Sequence, residues 1–172
     1  AVRKNSPELL VAVNVWLDSY QLGLDIVPCF HIQPNNGSQD FYYIPFGRGS
    51  TMWMTTNPKI DERISDFLDQ KHDKKLKPVI KLLKYWNKEQ NGGRLRSYHL
   101  ETIAWYVFNA HPSKIQDYPS ALKYFFANAG AHLAAPCADA TKLGGHIDGY
   151  LTQEARTQTI QKIQEAQRIV GN

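Results

Sequence analysis

The residues best suited to chemistry lie in one stretch, 77–101. Four lysines recur there at helical spacing and place four ammonium groups along one side of a helix. They are Lys77, Lys81, Lys84 and Lys88. A Gly92-Gly93 break follows, and Ser97-Tyr98 then opens a second amphipathic segment. Because a helix start offers free N–H groups and partial positive charge, an anion is favoured between the two helices. A solvated basic face beside an ordinary serine N-cap fits the same pattern.

A second candidate is Asp25, a carboxylate between Leu24 and Ile26 in an apolar segment. An aspartate in a strand costs free energy unless something pairs with it, which makes Asp25 a site candidate. The alternative is an edge or exposed-face aspartate that meets water.

The elements that position Asp25 are β-strands. Residues 9–17 are rich in Val and Leu and predict a well-buried strand, and residues 23–30 predict the antiparallel return strand. Pro28 cannot donate to a ladder, so that strand should end there or lie at an edge. Residues 41–45 predict a short aromatic strand, and residues 47–50 (GRGS) a flexible connector.

Beyond the connector the pattern is helical. The predicted helices run from Pro58 to about Gln70, then over 77–87, 97–110, from Tyr118 onward, and 152–170. Residues 136–149 are irregular. The residues expected to face the core are Ile60, Ile64, Phe67, Leu68, Leu76, Val79, Ile80, Leu83, Trp86, Leu100, Ile103, Ala104, Val107, Phe108, Leu122, Phe125, Phe126 and Ala129.

Composition narrows the function classes. The 172 residues are 42% hydrophobic and 12% aromatic, which is typical of a folded domain, and the net charge of +4 suits phosphate-bearing partners. Two distant cysteines favour a reducing compartment, and the absence of a long apolar run favours a cytoplasmic protein without a membrane span. No HExxH, CxxC or GxSxG motif supports a zinc site or acyl hydrolysis.

Several short motifs come in a fixed order. They are LDIVPCF at 24–30, YIP at 43–45, Trp53, TNPK at 56–59, KP at 77–78, KLLKYWN at 81–87 and SYHLE at 97–101. Together they resemble the polymerase-β-like nucleotidyltransferases of the cyclic GMP–AMP synthase and oligoadenylate synthase kind, above all the bacterial cyclic-oligonucleotide synthases of anti-phage defence. The resemblance runs from about residue 9 to the end.

The resemblance implies an α+β fold: an antiparallel hairpin of a nucleotidyltransferase palm over 1–46, then a mainly α-helical nucleotide-binding domain over 47–172. It implies that a ribose hydroxyl attacks the α-phosphate of a second nucleoside triphosphate, such as ATP or GTP, with Mg²⁺ or Mn²⁺ held by three carboxylates. Asp25 matches the third carboxylate. Lys84 and Ser97 match the pair that grips the triphosphate, and Tyr98 matches the aromatic residue that stacks on a base.

The chain departs from the family upstream of Asp25. The family's Gly-Ser turn and paired acids are expected there, but only Glu8 and Asp18 precede Asp25 as acids. We therefore expect the C-terminal part of a longer or nicked synthase, inactive alone, in preference to a degenerate relative. A smaller departure is Asp139-Ala140, where Asp-Pro is expected.

Two hypotheses remain open from the sequence. The chain is either most of a second-messenger synthase, or a non-catalytic helical module that binds nucleotides, RNA or a partner. The joined nucleotides, the linkage and the activator also stay open, with nucleic acid, a regulatory protein partner and constitutive activity all compatible with the charge.

Overall fold

The structure is a computed structural model that describes residues 12–34, 40–45 and 53–171. The chain divides into two compact units, residues 1–58 and 59–172. The predicted division after residue 46 and the predicted connector over 47–50 lie outside the described residues. No helix within the described ranges is long and apolar enough to cross a membrane.

The first unit begins with the predicted antiparallel hairpin. Strand β1 (Val13–Leu17) pairs with β2 (Leu22–Ile26) across a short 3-10 turn, with Gln21 in the left-handed conformation. Strand β2 ends two residues before Pro28, as its missing N–H group predicts. The hairpin itself is therefore confirmed, and residues 9–11 of the predicted first strand lie outside the described residues.

The two faces of this hairpin differ sharply in polarity. Strand alternation and register place one aliphatic set together: Val13, Val15, Leu17, Leu22, Leu24 and Ile26. The opposite face carries Asn14 beside Asp25 and Trp16 beside Gly23. The prediction of a well-buried β1 is wrong, since none of its five residues is buried. Among the described residues β1 pairs only with β2, so its other edge pairs with no described strand.

A second sheet follows in the same unit. Strands β3 (Phe30–Ile32), β4 (Phe41–Pro45) and β5 (Trp53–Thr56) form an antiparallel sheet in that order. Strand β4 has the predicted bounds. The sequence predicts neither β3, whose first residue falls at the end of the predicted return strand over 23–30, nor β5. The Phe30 and Trp53 rings, from the strands flanking β4, lie 5.0 Å apart. The side-chain amide of Asn57 donates to the carbonyl oxygen of Asp40.

The described part of the second unit contains five helices. The first of them begins at Pro58, the last residue of the first unit. They are α1 (Pro58–Lys71), α2 (Leu76–Glu89), α3 (Ser97–Asn109), α4 (Tyr118–Ala134) and α5 (Gln153–Gly171). Pro58 is the first residue of α1, as predicted, because its missing N–H group costs nothing there. Asp117 caps α4 by accepting from the Ser120 N–H group at 2.7 Å. The predicted α+β class is confirmed.

The core of the second unit lies between α2, α3 and α4, with α5 packed mainly on α4. The predicted inward residues of α3 are all buried, and so are four of those of α2 and three of those of α4. Trp86 and Leu122 are partly buried against the same core. On α1 the prediction fails for Phe67, whose exposure is 65%, while Leu68 is buried. Helix α1 thus turns a narrower face inward than its apolar spacing predicted.

Candidate functional site

The turn between α2 and α3 sets the position of the candidate site. Gly92 and Gly93 both have positive φ angles, of 62° and 65°, in a region that favours glycine. The N–H group of Gly93 donates to the carbonyl oxygen of Asn87 at 2.7 Å. The two glycines therefore let the chain reverse tightly after α2.

The side chain of Asn87 holds that turn from inside. It is buried, its amide donates to the carbonyl oxygen of Leu95 at 2.8 Å, and its Oδ1 accepts from Asn91 at 2.9 Å and from the Leu95 N–H group at 3.2 Å. A polar residue in a buried helical position costs free energy unless it is paired in this way. Asn87 thereby fixes where α3 begins, a role that the sequence analysis did not assign.

Helix α3 begins at Ser97, with Arg96 in extended conformation at the N-cap position and no side-chain cap hydrogen bond. Ser97 is exposed. The first N–H groups of a helix have no partner within it. Because Arg96 occupies the N-cap position, the ordinary serine N-cap that the sequence left open is not what the structure shows. The hydroxyl and the helix start can both serve an anion.

Arg96 is fixed by Tyr150, from the segment before α5. The Tyr150 oxygen accepts from the Arg96 N–H group at 2.8 Å and lies 2.9 Å from Nδ1 of the buried His99. The Arg96 guanidinium lies 4.3 Å above the Tyr150 ring. Burial lowers the pKa of His99, so its imidazole is neutral. The exposed guanidinium thus adds positive charge at the start of α3.

Lys84 lies beside the same end of α3. Its ammonium is 2.6 Å from Oε1 of Glu101, and the two side chains are 40% and 27% exposed. Ser97 and Glu101 are four residues apart and share a face of α3. The ammonium therefore pairs with a residue about one helical turn, or ~5 Å, along the axis from Ser97. The structure brings Lys84 and Ser97 onto one surface.

The other lysines of the stripe are engaged differently. Lys77 pairs with Asp66 at 2.5 Å, away from the start of α3, and Lys88 lies 3.7 Å from Glu89. Lys81 is exposed and has no ion pair within the part of the chain that the structure describes. Most of the stripe is therefore neutralised locally, and Lys84 is the member tied to α3.

Tyr98 is partly buried, and its ring packs edge-to-face on Trp105 with centroids 6.1 Å apart. Its oxygen lies 2.7 Å from Oδ1 of Asp139 and 3.0 Å from Oδ1 of Asp61. Burial and these two carboxylates raise the pKa of Tyr98, so the phenol stays protonated. These partners come from α1 and from the loop before α5, and sequence spacing did not point to either of them.

Asp25 lies in the first unit, on the polar face of the hairpin. It is exposed, and its Oδ1 accepts from the amide of Asn14, the residue directly opposite in the register, at 2.8 Å. The structure therefore favours the exposed-face alternative over an apolar setting for this carboxylate. One oxygen is held by Asn14 and the face is open to solvent.

Asp25 is the carboxylate that the resemblance assigns to a metal ion. Mg²⁺ takes six oxygen ligands, usually including several carboxylates or phosphates. Nowhere in residues 12–34, 40–45 and 53–171 do three histidine, cysteine or acidic side chains come together as metal ligands. Asp25 and Asn14 alone are too few, so binding of Mg²⁺ or Mn²⁺ by Asp25 stays a prediction.

The fold formed by the described strands and five helices is also found in two solved cyclic dinucleotide synthases, in agreement with the fold that the sequence predicts. One is the Elizabethkingia meningoseptica CdnE cyclic dinucleotide synthase with GTP and Apcpp, with a TM-score of 0.69 at 14% identity. The other is the Vibrio cholerae di-nucleotide cyclase DncV, a mutant in complex with ATP, GTP and 5MTHFGLU2, with a TM-score of 0.68 at 12% identity. Each match covers 99% of this chain, and it covers 65% of the CdnE chain and 48% of the DncV chain.

Sequence similarity points to the same group of enzymes. Over 92 residues, or 54% of its length, the chain is 34% identical to a probable cyclic nucleotide synthase of Bacillus cereus (strain VD146). The matched part is 27% of that protein. No protein-family model matches the chain. The predicted resemblance to cyclic-oligonucleotide synthases is confirmed by these relatives.

Proposed function

We propose that the chain acts in a nucleotidyltransferase that joins nucleoside triphosphates into cyclic or linear oligonucleotides. A ribose hydroxyl of one nucleotide attacks the α-phosphate of another, and pyrophosphate leaves. The relative of 34% identity and the shared fold support this reaction class. A role in anti-phage defence, which the resemblance implies, stays a prediction.

The observation that carries the proposal is the surface formed by α2 and the start of α3. It presents the Lys84 ammonium, the Ser97 hydroxyl and the free N–H groups of the first turn. A triphosphate is a polyanion that needs several donors in a positive field. Lys84 has three N–H donors, so it can keep Glu101 and also bind a phosphate oxygen. Arg96 adds a second cation at this end.

Tyr98 completes the surface as the platform for a base. Stacking on an aromatic ring contributes ~1–3 kcal/mol per base and does not depend strongly on the base. The phenol oxygen is held by hydrogen bonds with Asp61 and Asp139, which limits rotation of the ring. A fixed ring loses little entropy when a base stacks on it.

The proposed role of Asp25 is to supply one of the three carboxylates that hold the metal in the intact protein. The match of the LDIVPCF motif at 24–30 to the strand that carries the family's third carboxylate supports this role. The chain spans about a quarter to two thirds of the length of the relatives it matches, so activity is proposed for the whole protein.

The test is incubation of the intact protein with each nucleoside triphosphate and Mg²⁺ or Mn²⁺, followed by identification of products by mass. We expect oligonucleotides joined through phosphodiester bonds together with pyrophosphate. Nucleotide binding without any product would contradict catalysis and favour the non-catalytic module.

A further inference from the structure

The Tyr98 oxygen lies within hydrogen-bond distance of two acids, and the single phenol proton can serve only one of these two contacts. Two carboxylate oxygens lie within bonding distance, Asp139 Oδ1 at 2.7 Å and Asp61 Oδ1 at 3.0 Å. A phenol has one O–H donor, so it can donate to only one of them. If both acids were ionised, the other carboxylate would face an oxygen lone pair.

Asp139 is the acid whose surroundings require a carboxylate. Its Oδ1 also accepts from the Thr141 N–H group at 2.9 Å. Its Oδ2 accepts from the Thr141 hydroxyl at 2.8 Å and from the Gly144 N–H group at 2.9 Å. Burial alone would raise the pKa of Asp139, but the donors from Tyr98, Thr141 and Gly144 hold it below its usual range. Asp139 therefore accepts the Tyr98 proton.

Asp61, unlike Asp139, lies among few hydrogen-bond donors. Within the described residues Tyr98 is its only hydrogen-bond partner. The charged groups that face it are Asp139 from the loop and Glu101 from α3, and Glu101 is itself paired with Lys84. Burial and these two like charges raise the pKa of Asp61. Asp61 is thus the acid that takes the extra proton.

We propose that Asp61 and Asp139 are positioning residues for Tyr98, which they hold in a directional chain: protonated Asp61 donates to the Tyr98 oxygen, and Tyr98 donates to the Asp139 carboxylate. This inference rests on the proposed function, in which Tyr98 stacks on a nucleotide base. These two hydrogen bonds connect α1 and the loop over 138–146 to the Tyr98 oxygen at the start of α3. The orientation of the Tyr98 ring is therefore set by three segments at once.

The test compares two isosteric variants that should behave oppositely. Asp61→Asn keeps an N–H donor toward Tyr98 without a titrating proton, so ATP affinity should equal that of the wild type at low pH. Above the pKa of Asp61 the wild type loses this donor and should bind more weakly than Asp61→Asn. Taking the ratio of the two dissociation constants at each pH cancels the titration of ATP itself. Asp139→Asn should bind ATP weaker at every pH, by about tenfold, the size of one charge-assisted hydrogen bond.

Thermal melting gives a readout that does not depend on nucleotide. A raised pKa in the folded state means stability that is present at low pH and lost as the pH rises through that pKa. The wild type should therefore lose melting temperature relative to Asp61→Asn across this range. In a Tyr98→Phe background the difference should shrink, because the oxygen that links the acids is gone.

The outcomes separate the two ideas. An affinity ratio and a melting difference that stay constant from about pH 4, the ordinary pKa of an aspartate, to about pH 9 would overturn the proton chain. An intact protein that binds neither ATP nor GTP would refute the proposed function, while the melting comparison would still decide the hydrogen bonding. If Asp139→Asn does not fold, the Tyr98→Phe series decides the question alone.

Discussion

Replacement of Lys84 by alanine should weaken binding of a nucleoside triphosphate by about 5- to 30-fold. Two unit charges about 4 Å apart interact by ~1 kcal/mol in water and ~4 kcal/mol near a protein surface. Because the Lys84 side chain is 40% exposed, its contribution should lie toward the water limit, at about 1–2 kcal/mol, which gives that factor. The loss also leaves Glu101 unpaired beside the bound anion, so Lys84→Ala/Glu101→Gln should recover part of the affinity.

Calorimetric titration of ATP into the 172-residue chain, at two salt concentrations, measures this effect. The Lys84 contribution should shrink at high salt because exposed charges are screened. Lys114→Ala is the matched control, since Lys114 is also an exposed lysine and pairs with Asp73 at 2.7 Å at the other end of α3. Equal affinities for the wild type, Lys84→Ala and Lys114→Ala would refute the assignment of Lys84 to the site.

Three further predictions concern other parts of the chain. Tyr98→Ala should lower ATP affinity by ~1–3 kcal/mol, and a large melting change with unaltered affinity would instead make Tyr98 a core residue. Asp25→Asn should abolish metal-dependent condensation by the intact protein. Its circular dichroism spectrum should be unchanged, because the amide oxygen can still accept from Asn14. A normal product yield would refute the role of Asp25 as a metal ligand. Arg156→Met should cost ~3–5 kcal/mol in urea unfolding, because it leaves the buried Asp148 carboxylate, 2.5 Å from the guanidinium, without its partner. Burial alone would raise the pKa of Asp148, but Arg156 holds it below its usual value. The stability of the wild type should therefore fall as the pH drops below about 4, and the Arg156→Met chain should lose less stability over the same range. Parallel curves of stability against pH would contradict this.

The helical part of the fold could be predicted because its signals are local. Apolar residues at helical spacing marked the buried sides of α2 and α3, and the glycine pair and Pro58 marked a turn and a helix start. Strand β5 gave no such signal. Four residues (WMTT) carry little periodicity, and their pairing with β4 is made by residues that are distant in sequence.

The error on the first hairpin has a different cause. A run rich in Val and Leu predicts a well-buried strand, whereas the register gives one aliphatic and one polar face. The alternation of Val13, Asn14 and Val15 already contained this information. Asp25, directly opposite Asn14 in the return strand, was a second sign that one face is polar.

The site was only partly predictable. Lys84, Ser97 and Tyr98 could be proposed as site residues because each belongs to a short motif, and these motifs come in a fixed order along the sequence. The partners of Tyr98 do not, because Asp61 is 37 residues before it and Asp139 is 41 residues after it. Such contacts are created by packing of α1 and the loop onto α3, and no spacing rule within the sequence expresses them.

The central claim is that a nucleoside triphosphate binds at the start of α3 beside Lys84. The most direct measurement is an NMR titration of the isotope-labelled chain with ATP, with backbone amide signals followed residue by residue. We expect saturable shifts at Ser97, Tyr98 and their neighbours in the first turn of α3, and at Lys84. Absence of shifts at high ATP concentration, or shifts confined to other surfaces, would contradict the claim.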